Sequence, residues 1–470
     1  MPVSSQHPEY SSRIEEWETC RTFYSGEKAV KAQGPRFLPR PSESSEEEYK
    51  NYTLRAFFLG VMYRTVNGLS GAIDRKEPTV NLPASLEYLK DNVDLNHTTL
   101  RQFSKEVLDE TMITGRVGIL ADVSANGGDP YLCSYQAESI INWKINDDNK
   151  LSMVVLKESY FEPDPNDQFV QKLKTQYRVL KLDESGNYIQ ELHQNDSADE
   201  KKAPEIKETI VPKKAGVALK EIPFVFCNAK GTTANTEKPP LLDLAMKNAE
   251  HYRVSADYAN SLYFTGNPIL WTEGVKRPDG EVSITIGSSR AVQLPEGGKI
   301  GLLECQGHGV NPNRERAEDL KKEMAVLGAK LLEGQRRGIE AAETALLRES
   351  NDVSTLSNIV VNVSAALKEV LIYAANWKGL ESEDVDFKMN DDFFDTTINP
   401  QLLTSLTDMV MKELISWDTF IYNLALGEIL PPGRTPEEER RMIEEQPPIS
   451  RNFDGVTQAL GFGEDLDKTV

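Results

Sequence analysis

The feature that most constrains the fold is a helical pattern that runs from Ile339 to about Lys378. Apolar residues recur in alternating steps of three and four, the spacing of one face of an α-helix. The stripe occupies positions 339, 342, 346, 349, 353, 356, 360, 363, 367, 370, 374 and 377, and all are apolar except Glu349. A helix of about 40 residues spans about 60 Å. This length predicts a kink near 348–352, a shaft, or a place in a large assembly.

Two shorter helical segments precede the long one. Residues 239–265 begin with two prolines, which suit a first helical turn, and their alanine-rich apolar stripe lets a neighbouring helix approach closely. Residues 311–333 carry a similar stripe, with Asn311 predicted as the N-cap and Pro312 at the first helical position. Between these helices, residues 266–310 alternate short strands with glycine and proline turns. A module of this size is too small to bury a core alone, so it needs copies of itself or a partner.

A short dibasic hinge, within residues 334–340, separates the second of these helices from the long one. It has the sequence Gly334-Gln335-Arg336-Arg337-Gly338, and Gly334 stands where a left-handed helix cap is expected. Two arginines on a hinge are unusual in a chain with a formal net charge of −21. They form either a solvated turn between two helices or a point where the protein meets phosphate.

The N-terminal half combines helical and strand patterns, so the predicted fold class is α+β. The predicted helices cover 47–73 and 100–115. The predicted strands cover 116–123, 139–145, 151–161 and 176–183. Residues 194–215 are polar and charge-rich, which predicts an excursion on the surface.

The C-terminal part returns to short elements. Residues 385–389 predict a strand. Two helices follow, one over 414–432 with Ser416 as N-cap and one over 435–446 with Thr435 as N-cap.

Composition excludes several classes of function. Acidic residues outnumber basic ones by 74 to 53, so a DNA partner is contacted locally or passed by, and is not wrapped. Cys20, Cys133, Cys227 and Cys305 form no paired motif, which predicts separate reduced thiols. The N-terminus lacks the apolar segment of a signal peptide, and no apolar run approaches the roughly 20 residues that span a bilayer. We therefore expect a soluble intracellular product.

No motif indicates catalysis. The sequence has no GxxxxGK[ST] phosphate loop, and its five histidines are isolated. Asp391, Asp392 and Asp395 lie together in the predicted loop 390–395. They suit either a divalent-metal nuclease site or a solvated acidic loop, and no matching constellation of carboxylate, lysine or histidine residues accompanies them. We therefore expect no enzymatic activity, no metal and no cofactor.

The order of these elements resembles the portal protein (head-to-tail connector) family of tailed bacteriophages. The resemblance runs from about residue 40 to residue 446. Its most telling residues are "ETALLRESNDVSTLSNIVVNVSAALKEVLIYAANWKGL", "VDFKMNDDFFD" and "ISWDTFIYNLALGEILPPGRTPEEERRMIEE". A long helix ending in Trp-x-Gly, a strand with Asn/Asp-Asp-Phe and an Ile-Ser helix are similar to the C-terminal half of these portals. The specificity lies in the order of the parts and not in one motif.

The resemblance implies a portal-like fold with a wing, a two-helix stem, a small β-rich clip, a long kinked wing helix and a helical crown. The implied regions are the wing 1–238, stem helices 239–265 and 311–333, the clip 266–310, the tunnel loop 334–340, the long wing helix and strand 341–395, the crown 396–450 and an acidic tail 451–470.

The resemblance also implies a function without catalysis. Such chains form a ring, expected to be a dodecamer, at one capsid vertex, and double-stranded DNA passes through its channel. The tunnel-loop residues that would face DNA are Gly334, Gln335, Arg336, Arg337 and Gly338. Arginines placed around a constriction touch phosphates transiently, while an acidic surface elsewhere repels the duplex and lets it slide.

The implied partners are those of a virion. The clip docks the terminase large subunit during packaging and head-tail adaptor or tail proteins afterwards. The charged clip residues implied in docking are Lys276, Arg277, Asp279, Arg290 and Lys299. Major capsid and scaffold proteins are further partners, and no membrane is involved. The chain would be made in the host cytoplasm and end in the virion, at the capsid portal vertex.

Two other classes of function stay open at the level of sequence. One is a metal-dependent DNA-processing enzyme that uses Asp391, Asp392 and Asp395. The other is a different scaffold or shell component of a virion. A shell protein would form sheets or icosahedral particles, and a scaffold would be mostly helical without the β module.

Overall fold

The computed structural model of the chain describes most of its length. The described residues are 2–123, 128–164, 167–195, 203–214, 216–266, 269–273, 297–303, 310–329, 355–391, 400–412, 414–426 and 436–445. The chain divides into two compact units, residues 1–393 and 394–470. The first unit mixes helices and antiparallel sheets, which confirms the predicted α+β class.

Five helices build the N-terminal part of the first unit. They are α1 (Pro8–Ser25), α2 (Glu27–Ala32), α3 (Glu46–Arg55), α4 (Val61–Ile73) and α5 (Leu100–Thr114). Helix α5 matches the prediction because its signals are local. Thr99 and Gln102 form a capping box at its start, and Gly115 has φ +78° at its end.

The prediction of one helix over 47–73 is wrong. Helix α3 ends at Ala56, whose ψ of 129° is extended, and α4 begins after Gly60. Phe58, between the two helices, is 5% exposed and contacts the rings of Phe23 and Tyr252. The apolar residues of this stretch therefore serve two helices and an anchored linker, a distinction that helical spacing alone does not make.

A three-stranded antiparallel sheet follows α5. Strand β2 (Arg116–Asp122) lies between β3 (Tyr131–Gln136) and β11 (Phe224–Asn228). Every residue of β2 is buried, as its continuous apolar run predicts. Gly118 is required there because an added Cβ would lie 2.2 Å from Phe224 Cζ and 2.8 Å from Ile140 Cδ1.

A five-stranded antiparallel sheet has its strands in chain order. The strands are β4 (Ile140–Ile145), β5 (Leu151–Asp164), β6 (Asp167–Leu182), β7 (Tyr188–Gln194) and β8 (Glu205–Ile210). Strand β8 corrects the expectation of a plain surface excursion over 194–215, because it pairs with β7 although most of it is exposed. A small hairpin follows, formed by β9 (Lys213–Lys214) and β10 (Val217–Ala218).

The rest of the first unit is a helical hairpin and a core helix. Its elements are α6 (Leu242–Gly266), β12 (Ile269–Glu273), β13 (Lys299–Leu303), α7 (Val310–Ala329), α8 (Thr355–Lys378) and β14 (Asp386–Lys388), which pairs with β1 (Thr79–Asn81). The prediction that Asn311 caps α7 is wrong, since Val310 is already helical. Pro239 and Pro240 precede α6 and do not form its first turn.

Helix α8 is the centre of the larger hydrophobic core. Leu356, Val360, Val363, Leu367 and Val370 of the predicted stripe are at most 1% exposed. Among the described helices, α8 is long and apolar enough to cross a membrane by length and composition, contrary to the expectation that no apolar run reaches that length. Its buried stripe packs against α5, β2, β11 and β14, which explains its apolar character as that of a core helix.

A second hydrophobic core lies on the five-stranded sheet. It includes Trp17, Trp143, Leu156, Tyr188 and Phe226. Arg116 is buried beside it, with its guanidinium carbon 4.5 Å from the centre of the Trp143 ring and 4.1 Å from that of Phe226. Burial lowers the pKa of Arg116 to about 9, and the stacked rings compensate part of its lost hydration.

The second unit is helical in its described part. It contains α9 (Pro400–Met411), α10 (Trp417–Leu426) and α11 (Pro436–Glu445). Ser416 Oγ accepts a hydrogen bond from the Thr419 amide at 3.1 Å, which confirms Ser416 as the N-cap of α10. Thr435, the other predicted N-cap, lies outside the described residues.

The contact around Gly118 generates a stability prediction. Gly118→Ala should destabilise the first unit by about 1–3 kcal/mol, because the new methyl group overpacks the junction of Phe224 and Ile140. Urea unfolding followed by tryptophan fluorescence measures this change in the free energy of unfolding.

The matched control for Gly118 is Gly68→Ala in α4. A Cβ at Gly68 meets nothing within 4 Å, so this change should stabilise the helix by up to about 1 kcal/mol. Equal effects of the two substitutions would contradict the packing described for β2.

Candidate functional site

The candidate site is built on α6 and α7, which run antiparallel and are joined through the strands β12 and β13. Ala245, Ala249 and Ala256 of the predicted α6 stripe are buried. On α7, Leu320 and Met324 are at most 1% exposed. These alanines of α6 and Met324 of α7 belong to the larger hydrophobic core, whereas the α6 side chains that contact α7 include Lys247 and Glu250. We call this pair of helices the stem hairpin.

A cluster of alternating charges joins the two helices of the stem hairpin. Arg316 on α7 contacts Glu250 on α6 and Glu323 on its own helix, the latter at 2.7 Å. Lys247 on α6 lies 3.1 Å from Glu250 and 3.0 Å from Glu323. Hydrogen bonds from Arg316 hold the pKa of Glu250 below its usual range. Each cation therefore contacts both carboxylates, and the cluster fixes the register of the two helices.

His251 lies on α6 next to this cluster and is 2% exposed. Burial lowers its pKa from the usual value of 6.5 because a charged imidazolium loses its hydration there. The nearby charges are Lys321, which lowers the pKa further, and Glu318, which raises it. His251 Nδ1 has no hydrogen-bond partner among the described residues. The neutral form of His251 is therefore the form that suits the folded stem hairpin.

The N-terminal helices brace α6 against the body of the first unit. Tyr52 donates a hydrogen bond to Asp257 Oδ1 at 2.6 Å. The Arg55 guanidinium carbon lies 3.6 Å from the centre of the Tyr263 ring. The Asn248 side-chain amide donates to the carbonyl of Leu59 at 2.9 Å. These contacts come from α3 and from the linker after it, so the break in the predicted helix 47–73 supports the stem.

Strands β12 and β13 extend the stem hairpin at its far end. Their register pairs Ile269 with Leu303 and Glu273 with Lys299. Trp271 lies over Gly301, where an added Cβ would be 2.8 Å from the indole ring. An aromatic side chain that covers a cross-strand glycine pins the register of such a pair. The register of these two strands is therefore fixed where the segment between them begins and ends.

The end of the stem hairpin exposes a set of large apolar side chains. They are 43–57% exposed, and they are Leu262, Phe264, Trp271, Leu302 and Leu303. Because Leu302 and Leu303 are consecutive in β13, both faces of the strand pair carry an exposed apolar side chain.

Most of the predicted site residues lie outside the described residues. Of the five clip residues, Lys299 is described, and it forms an exposed ion pair with Glu273 at 3.2 Å. Lys276, Arg277, Asp279 and Arg290 lie outside, as do the tunnel-loop residues Gly334, Gln335, Arg336, Arg337 and Gly338. The described helices that flank the loop are α7, up to Ala329, and α8, from Thr355.

The predicted acidic group is described in part. Asp391 pairs with Lys388 at 3.0 Å, whereas Asp392 and Asp395 lie outside the described residues. Within the described ranges, no three histidine, cysteine, aspartate or glutamate residues are grouped to hold a metal ion.

Comparison with known proteins gives one family match. Residues 240–378 match the family model "Domain of unknown function (DUF4055)". The match begins just before α6 and ends with α8. It therefore includes both helices of the stem hairpin, the residues between them and the core helix α8. It covers less than half of the chain. No curated protein matches the sequence.

Solved structures similar to this chain include components of phage-like particles. A chain from the virion of a native gene transfer agent (GTA) particle is 12% identical, with a TM-score of 0.36, over 84% of this chain and 96% of that one. A chain from the neck of an empty GTA particle with C6 symmetry is 13% identical, with a TM-score of 0.39, over 87% and 99%. A third, from the neck of a native GTA particle with C12 symmetry, is 14% identical, with a TM-score of 0.35, over 84% and 96%. At TM-scores below 0.5, these likenesses decide nothing about this chain.

The burial of His251 generates a pH prediction. The unfolded chain takes up a proton as the pH falls through about 6.5, whereas the folded stem hairpin resists it, so the stability that neutral His251 provides is lost below that pH. Corrected for the intrinsic exchange rate, the protection of α6 and α7 amides should therefore fall between pH 7 and pH 5 more steeply in the wild type than in His251→Leu. Above pH 7.5, where the histidine is neutral in the folded and the unfolded chain, the difference between the two proteins should no longer change with pH. Parallel pH profiles would contradict this account.

Proposed function

We propose that the chain is a portal-type protein that forms a ring-shaped DNA channel at the unique vertex of a phage-like capsid. The ring docks the terminase during packaging and the adaptor or tail afterwards, conducts DNA during ejection, and has no catalytic activity of its own. The proposal places the chain in the virion, with the stem hairpin lining part of the channel and residues 334–340 projecting into it.

The observation that carries the proposal is the apolar end of the stem hairpin. Leu262, Phe264, Trp271, Leu302 and Leu303 are exposed in the single chain, although the strands that hold them are regularly paired. Neighbouring copies in a ring would cover these side chains. In a closed ring every copy contacts its two neighbours through the same pair of surfaces, so side chains buried at one interface are buried at all of them. The clip is then stabilised by assembly and not by a core of its own.

The order of the elements supports the same proposal. The chain passes from a braced helix through a small strand pair to a second helix, and then, beyond residues 334–340, to a core helix with a following strand. This is the order that the resemblance to portal proteins implies for stem, clip, stem, tunnel loop and wing. Dodecameric assembly, terminase docking and contacts with capsid and scaffold proteins are parts of the proposal.

The architecture of the purified protein tests the proposal. Negative-stain electron microscopy should show rings with a central hole, and native mass spectrometry should give a mass near twelve copies, with scaffold protein added if the chain alone stays monomeric. Sheets or icosahedral shells would instead favour a shell protein. A persistent monomer with and without scaffold would contradict the ring, and DNA cleavage by the purified protein would favour the enzyme alternative.

The dibasic loop generates a second functional prediction. Arg336→Ala with Arg337→Ala should leave ring assembly intact and reduce DNA packaging or retention, because the constriction loses its transient phosphate contacts. The measurement is packaged DNA per particle together with ring mass.

Two matched controls accompany the double alanine variant. Arg336→Lys with Arg337→Lys keeps the charge and should retain most packaging. Lys321→Ala with Lys322→Ala removes two exposed cations from α7 and should leave packaging unchanged. Full packaging by the double alanine variant would show that the loop charges are dispensable.

A further inference from the structure

The five-stranded sheet carries a projecting ribbon. Strand β4 pairs with β5 only as far as Leu156, and β7 pairs with β6 only from Gln176 onwards. Beyond these points β5 and β6 pair with each other, from Ser159 opposite Thr175 to the end of the hairpin. We call residues 159–164 and 167–175 the β-arm. In the β-arm, β5 extends beyond its pairing with β4, and β6 extends beyond its pairing with β7.

The β-arm has one charged face. Glu162 and Lys174 form an ion pair at 2.5 Å, and Asp164 and Lys172 form another at 2.6 Å. Tyr160 lies directly opposite Lys174 on the same face. Cross-strand pairs of opposite charge stabilise a ribbon and keep this face compatible with water.

The opposite face of the β-arm is largely apolar. Phe161 lies directly opposite Leu173, and Pro163 lies opposite Gln171. Phe169, two residues before Gln171 on the same strand, shares this face because side chains alternate along a strand. Phe161 is 66% exposed, Leu173 65% and Phe169 86%. Most of the surface of each of these three side chains is therefore exposed to solvent in the described structure.

Exposing these apolar side chains to water is unfavourable, which indicates that a partner covers them. An isolated two-stranded ribbon is at best marginally stable in water. Each aromatic side chain offers about 150–250 Å² for burial, so the two phenylalanines and Leu173 together present a few hundred Å². Contiguous apolar patches of that size mark interaction sites.

The size of the β-arm also limits what the partner can be. A stable complex needs about 800 Å² from each partner, more than the arm supplies. The arm contact must therefore belong to a larger interface held together elsewhere as well. Copies of the chain that already meet in an assembly meet this requirement, whereas a partner that binds the arm alone does not.

The chain itself offers a second apolar surface to receive the arm. Leu54, Phe57 and Tyr63 are 64%, 57% and 53% exposed within ten residues of the break between α3 and α4. They belong to elements of the larger core, whereas the β-arm extends from the sheet of the second core. When two different patches of one chain meet between copies, the contact is heterologous, and it closes into a ring when the rotation permits.

We propose that the β-arm docks on a neighbouring copy of this chain, with Phe161, Phe169 and Leu173 covering Leu54, Phe57 and Tyr63. The inference rests on the proposed ring and adds to it a specific contact between neighbours outside the stem hairpin. This contact between wing regions stabilises the ring, while the charged face of the β-arm remains exposed to water.

Photo-crosslinking of the full-length protein tests the contact. A benzoylphenylalanine introduced at Phe169 should form crosslinks between chains, and mass spectrometry should map them to residues 54–63 of the second chain. The same probe at Tyr160, on the charged face, is the control and should give at least tenfold fewer crosslinks between chains. Crosslinks from Phe169 only within one chain, or to residues far from 54–63, would overturn the proposal.

Substitutions provide an independent measurement. Phe161→Glu with Leu173→Glu should raise the concentration needed for assembly by about tenfold or more, because charged side chains oppose burial of this face. Glu162→Gln with Lys174→Gln changes the opposite face and should leave assembly unchanged. Circular dichroism of each variant checks that the sheet still forms. An unchanged assembly of the double glutamate variant would overturn the proposal.

The outcomes separate this inference from the ring itself. Rings that form without crosslinks from Phe169 would overturn the β-arm contact and leave the ring standing. Crosslinks to residues 54–63 between chains that form no closed ring would support the contact and overturn the ring. Absence of both would overturn both.

Discussion

The burial of α8 is the interaction on which the rest of the first unit depends. Its apolar stripe lies in one hydrophobic cluster with residues of α5, β2 and β11. The same cluster contains Ala245 of α6, Met324 of α7 and Leu356 of α8. The helices before and after residues 330–354 are therefore anchored in one packed core. Because a close-packed core resists small displacements, the ends of the segment that carries Arg336 and Arg337 are held in a fixed relation to the body.

The sequence predicts elements whose signals are local and misses those set by distant contacts. The alanine stripe of α6, the helix over 100–115 and the apolar run of β2 are predicted from local signals, and the structure confirms all three. The break between α3 and α4 depends on Phe58 packing against Phe23 and Tyr252, which are far away in the sequence. Helical periodicity counts apolar residues and does not identify the surface that each one meets.

The candidate site shows the same division. The existence of helices α6 and α7 follows from their stripes, but the charge cluster of Lys247, Glu250, Arg316 and Glu323 does not, because it needs the register between two helices. His251 looks like an isolated histidine in the sequence and is buried in the structure. The predicted strands 151–161 and 176–183 likewise stop short of the ends of β5 and β6, because a sequence pattern does not show how far a strand extends beyond its neighbours.

The charges of the stem hairpin bear on how an acidic chain accommodates DNA. Lys247 and Arg316 contact carboxylates on both helices, and on the outer face of α7 Lys321 pairs with Glu318 and Lys322 with Asp319. Four cations of the described stem thus have carboxylate neighbours that compete with phosphate for them. A duplex binds tightly when many unpaired cations release its counterions, and these four are poorly placed to do so. In the proposed channel, local neutralisation of these four cations along the stem keeps DNA mobile.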